Sequence, residues 1–221
     1  MSPPPDKTGS AWFRTAAIGF NARVEPFAFS LEKKRKDLGL LEYWKLKGES
    51  DRRLKAIRAA LPKQKVADRT WEKAKGECVC NLRVARMGML ADLRDFAKGE
   101  SPGPRRFRHL LQGREFNTIY LPVDFERPFA IPPAPGGGKD PTPVGSVPRL
   151  ASELEALEKT LRTAATFKLK MVDFLDVTPE AIGKYESSVG GVLDFWVKFG
   201  FIILRKLVEK SAESGFPILF A

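Results

Sequence analysis

The chain has 221 residues, 43% of them hydrophobic, enough to bury a sizeable core and to exclude disorder throughout. Two cysteines and one histidine argue against a disulfide-dense scaffold and against a zinc centre, which needs about four Cys, His or carboxylate ligands. Net charge is +11, and it is lopsided: residues 1–115 hold 26 Lys and Arg against 14 Asp and Glu, whereas residues 116–221 hold 12 against 13. A basic excess confined to one half points to an anionic partner for that half.

The opening "MSPPPDKTGS" is polar and Pro-rich with no apolar h-region, so it does not read as a signal peptide and a cytoplasmic protein is expected. Residues 16–30, "AAIGFNARVEPFAFS", have the β-branched and aromatic content of a strand between turn residues. Residues 31–47 read as a helix interrupted by Gly39. Ser50 and Asp51 can cap a short amphipathic helix ending before Pro62, with Leu54, Ile57 and Leu61 inward and Arg52, Arg53, Lys55 and Arg58 available outside.

The strongest periodicity predicts one long helix over 68–98. Trp71, Ala74, Cys78, Leu82, Ala85, Met89, Leu93 and Phe96 fall in one stripe at about 100° per residue. On the opposite face Arg69, Lys73, Arg83, Arg94 and Lys98 form a row that could follow a nucleic-acid backbone by neutralising successive phosphates. Arg52, Arg53, Lys55 and Arg58 before it, and Arg105, Arg106 and Arg108 after it, broaden the expected patch. Residues two apart on a helix point about 200° apart, so Cys78 is expected buried and Cys80 accessible, with neither a shared ion nor a disulfide between them. His109 lies in "RRFRHLLQG", where positive charge would repel a cation.

Residues 116–123, "FNTIYLPV", read as a strand. Residues 121–149 carry eight prolines and the triplet Gly136-Gly137-Gly138, and read as a connector whose stretch 132–147 is a flexible linker. The triplet has no preceding strand and no following Lys-Ser/Thr, so it is no phosphate loop. Leu150, Leu154, Leu157 and Leu161 follow 4-3-4 spacing and predict one side of a helical hairpin or a short coiled coil, with Glu153, Glu155 and Glu158 on its solvated face. Thr178-Pro179-Glu180 opens a second helix carrying Ile182, Tyr185, Val189, Trp196, Phe199, Ile203 and Leu207. Asp194 and Lys198 interrupt its apolar run, so it reads as a core helix and not a membrane span. The tail, "SGFPILFA", places Phe216, Ile218, Leu219 and Phe220 where chain ends are usually polar. It is expected to dock, on a groove of its own chain such as one beside residues 116–123 in preference to a groove on a second protein, and any strand it joins is expected to be an edge, since Pro217 cannot donate to a central ladder.

Together these readings predict a mainly α protein: a bundle-like assembly of amphipathic helices with a small β-sheet and a long Pro/Gly-rich connector. The expected division is a basic, mainly helical unit over 1–121, the connector over 122–149, and a helical hairpin with an apolar tail over 150–221. No cofactor or metal is expected. The function expected is non-enzymatic binding of nucleic acid, RNA or DNA, within a nucleoprotein assembly. The alternatives are a protein–protein adaptor or immunity-type inhibitor docking an acidic partner, with an aromatic centre around Tyr43, Trp44 and Trp71, and an enzyme of unrecognised class.

Overall fold

A computed structural model of the chain describes residues 21–26, 39–83, 88–100, 106–114, 117–133, 140–163 and 192–220. In chain order these form β1 (Asn21–Val24), α1 (Leu40–Ala60), two 3-10 turns (Leu61–Gln64 and Thr70–Glu72), β2 (Cys80–Arg83), α2 (Met89–Gly99) and α3 (Arg108–Gln112). There follow β3 (Ile119–Leu121), β4 (Phe129–Ile131), β5 (Thr142–Ser146), α4 (Val147–Thr163), α5 (Val192–Ser214) and β6 (Ile218–Phe220).

Alternation along the short strands sets the layering, because successive side chains of a strand point to opposite faces. Tyr120 shares one face of the sheet with Ile218, its partner across the β3–β6 pair, and with Ala22, Val24 and Phe220. Ile119, Leu121 and Val144 take the other face, against Ile57, Leu61 and Trp71. Two cores therefore lie on either side of one sheet. Helices α2, α4 and α5 cover the first face, and α1 with its 3-10 turns covers the second.

The sheet has six strands in the order β2-β1-β6-β3-β5-β4. The β3–β5 pair is parallel and the others are antiparallel. Helix α5 is apolar on nearly every side over Val197–Val208 and is wrapped accordingly, packing on α2, α4 and the strands β1, β2 and β6. In α4, Leu150, Leu154, Leu157 and Leu161 are each no more than 2% exposed, as their spacing predicts. The tail docks internally and beside β3, again as predicted. Helix α5 ends at Ser214, and Gly215 at φ +69° donates its N–H to the Ser211 carbonyl at 2.8 Å, which turns the chain back into β6.

The mainly α expectation is corrected: this is an α/β fold with a six-stranded mixed sheet. The long helix over 68–98 does not form. Gly76 sits at φ +155° with the Phe216 ring against it, so a Cβ there would lie 2.8 Å from the ring's Cζ, and Gly88 at φ +96° precedes α2. Positive φ at both positions breaks a right-handed helix, and the stretch between them supplies β2. The described parts of the connector are also structured, contributing β4 and the fully buried β5, while residues 134–139 with the glycine triplet lie outside the described residues. Pro143 is tolerated in β5 because β3 pairs only with Val144–Ser146, leaving Pro143 opposite Ala130 of β4 alone. Strand β6 is not an edge. It lies between β1 and β3, and Pro217 just precedes it, accepting the Glu25 N–H at 3.4 Å through its carbonyl. The beginning of the helix expected from Thr178 and residues 31–38 of the helix expected over 31–47 lie outside the described residues.

Candidate functional site

Without a helix over 68–98 the basic row has no common face. Arg69 and Lys73 flank the second 3-10 turn and are exposed, while Arg83 is on β2. Arg94, on α2, turns inward and donates to the carbonyls of Leu90 at 3.1 Å and of Gly113. Lys98 pairs with Asp95 at 2.7 Å. On α1, Arg52 and Lys55 are exposed, Arg53 donates to Asn117 Oδ1 at 2.8 Å, and Arg58 pairs with the nearly buried Glu72 at 2.9 Å. Burial lowers the Arg53 pKa from its ordinary value. Arg105 lies outside the described residues.

The structure instead draws four arginines together. Arg106 and Arg108 at α3, Arg127 in the β3–β4 connection and Arg149 in the first turn of α4 line a cleft of about 490 Å³. Arg106 stacks 5.2 Å over the Phe107 ring, and Arg149 grips Asp124 through Nε at 2.6 Å and Nη2 at 3.1 Å.

The floor of the cleft is a hydrogen-bonded unit around His109, which is 2% exposed. Its Nδ1 accepts the Ser146 N–H at 2.9 Å, which places the proton on Nε2, 3.2 Å from the Glu126 carbonyl. Both nitrogens are thus committed in the neutral ring, and burial holds the His109 pKa down at about 4. Glu153 Oε1 accepts the His109 N–H at 3.0 Å and Oε2 accepts the Leu110 N–H at 2.8 Å, holding the start of α3. Burial pushes the Glu153 carboxyl up to about 7, against the pull of these amides. The buried Tyr120 hydroxyl donates to the His109 carbonyl at 3.1 Å. With its Nδ1 lone pair taken, His109 acts as a brace for the backbone of β5 and the β3–β4 connection, not as a ligand or base.

The cysteines reverse their expected exposure, because a strand replaces the helix that set it. Cys80, on β2, is 8% exposed and faces the core, while Cys78 is partly buried and donates its thiol to the Cys80 carbonyl at 3.1 Å. Burial raises the pKa of both thiols. Among the described residues no group of three or more His, Cys, Asp and Glu is placed to hold a metal ion, and no helix is long and apolar enough to cross a membrane. Of the aromatic centre considered for a protein dock, Trp71 is buried at 2% exposure. Trp44 on α1 is 60% exposed, edge-on to Tyr43 at 5.7 Å and under Lys47 Nζ at 5.0 Å, beside the exposed Leu40 and Leu41.

A family model described as "Putative DNA-mimic protein" matches residues 47–220. The chain belongs to this family. No curated protein and no solved structure matches it. Membership corrects the reading of a nucleic-acid-binding protein, since the family is named for imitating DNA and not for binding it, and favours the alternative of a protein-docking chain. The bulk charge nevertheless stays basic within the match, with 30 Lys and Arg against 22 Asp and Glu in residues 47–220.

Sequence reasoning missed the cleft. Arg106 and Arg108 were legible as basic residues, but Arg127 and Arg149 lay in the supposed connector. The amphipathic pattern of the sequence puts Glu153 on a solvated face with Glu155 and Glu158. Its one available signal was its position one residue ahead of the inward Leu154, which places it at the border of the buried stripe.

Proposed function

We propose that this chain is a non-enzymatic docking protein that occupies a DNA-binding protein at the surface where that partner would hold DNA. The observation that carries the reading is the family match over residues 47–220. The net charge shapes it. A basic chain cannot draw a partner through a long-range acidic field, so docking rests on a local surface and on shape. The exposed Leu40, Leu41 and Trp44 support a protein-facing surface, because aromatic and apolar anchors carry much of the energy of protein interfaces. These residues precede the matched segment.

The test is displacement. An extract from the source cells is loaded on DNA-cellulose at physiological salt and washed with the purified chain. The reading predicts that the chain releases a DNA-binding protein in a stoichiometric complex, while an equal mass of an unrelated basic protein releases none. Retention of the chain itself on the column, with no protein released, contradicts it.

A further inference from the structure

We propose that the cleft between α3 and α4 binds a small phosphate-bearing ligand through Arg106, Arg108, Arg127 and Arg149. This goes beyond the docking reading and stands on different residues. Three separate segments, around 106–108, 127 and 149, bring these four arginines to one concavity of about 490 Å³, a size typical of small-ligand sites. Guanidinium forks match phosphate oxygens in pairs, and several around one cleft suit a multiply charged oxyanion.

The fold engages these arginines only in part. The backbone of Arg108 bonds to the Glu153 carboxylate, whose charge also acts on the Arg108 guanidinium, and among the described residues the guanidinium of Arg127 makes no hydrogen bond or ion pair. Arg149 is oriented by its two bonds to Asp124. The lining also holds two carboxylates. Those of Glu153 are engaged with the amides of His109 and Leu110, while Glu126 is exposed and can accept a hydroxyl or amine of the ligand. The floor is fixed in advance by the Ser146–His109, His109–Glu126 and Tyr120–His109 hydrogen bonds, so the backbone carrying Arg108 and Arg127 needs little ordering when a ligand enters.

The experiment is calorimetric titration of the full chain with inorganic pyrophosphate at constant ionic strength. It is repeated on Arg108→Gln/Arg127→Gln and on a control of equal charge change away from the cleft, Arg52→Gln/Lys55→Gln. Saturable binding is expected in the parent and in the control. In the cleft variant affinity should fall roughly tenfold or more per arginine removed. The parent titration decides the matter even where a variant fails to fold: absence of saturable binding overturns the proposal. Equal weakening in both variants also overturns it, since it reports only the bulk charge. Binding of citrate in preference to pyrophosphate overturns the phosphate assignment, and binding of duplex DNA in preference to it overturns the assignment of a small ligand.

Discussion

Nδ1 of His109 accepts the backbone N–H of Ser146 at 2.9 Å, tying the chain's only histidine to the end of a fully buried strand. The bond requires a neutral ring, and burial keeps the folded His109 pKa near 4, below its ordinary value. The unfolded chain takes up this proton first, so the His109 contribution to stability is lost as pH falls from about 6.5 towards 4. Glu153 runs the other way. Its folded pKa of about 7 lies above the unfolded value, so its contribution is present at low pH and lost as pH rises through about 7. Between about pH 4.5 and 6.5 the two nearly cancel. Relative to the parent, Glu153→Gln should therefore lose roughly 1.4 kcal/mol of stability per pH unit on acidification across that window, and His109→Gln should gain a similar amount. Urea unfolding at four pH values checks both slopes. Parallel curves for all three proteins would remove the opposed titration.

Gly145 pairs with Tyr120 across the parallel β3–β5 ladder, and a Cβ at 145 would lie 2.5 Å from Cδ1 of the Tyr120 ring. The ring is buried and its hydroxyl is bonded to His109, so it cannot swing away freely. Gly145→Ala should cost roughly 1–3 kcal/mol, as overpacking does. Chemical denaturation measures this, and a change below about 0.5 kcal/mol would mean that the contact is looser than described.

Ile218 is fully buried in a strand flanked by β1 and β3. Truncating it to Ala should destabilise the isolated protein by about 3 kcal/mol. Removing residues 216–221 should abolish cooperative unfolding, because the sheet then divides between β1 and β3. Thermal unfolding of the isolated chain distinguishes this from a tail that docks on another protein, for which stability would be unchanged.

The thiols offer a direct check on β2. Cys78 should react with a maleimide before Cys80 in the native protein, and both slowly at neutral pH, because burial raises both pKa values. Peptide mapping after timed labelling reads the order. Faster labelling of Cys80 would restore the helical arrangement that the strand replaces.

That arrangement shows what the sequence held and what it hid. Elements with an internal signal were legible: the Leu150–Leu161 spacing of α4, and the strands within 16–30, 116–123 and 216–220. The stripe from Trp71 to Phe96 had the right period but the wrong meaning. Trp71 and Leu93 are buried in separate cores on opposite faces of the sheet, so similar burial at helical spacing arose from two different elements. Gly76 and Gly88 were the local warnings, and Phe216, which presses on Gly76, comes from 140 residues further along. The cleft was hidden for the same reason. Glu153 and His109 are 44 residues apart, and only the packing of α4 on α3 brings them together.

The proposed function has this chain engage a DNA-binding protein in place of DNA. The most direct measurement is competition in one titration, in which the protein released from DNA-cellulose is saturated with labelled duplex and the purified chain is added at physiological salt. The account predicts stoichiometric release of free duplex, with no shift of the duplex by the chain alone. A ternary complex, or a duplex shift by the chain alone with a steep salt dependence, would contradict it.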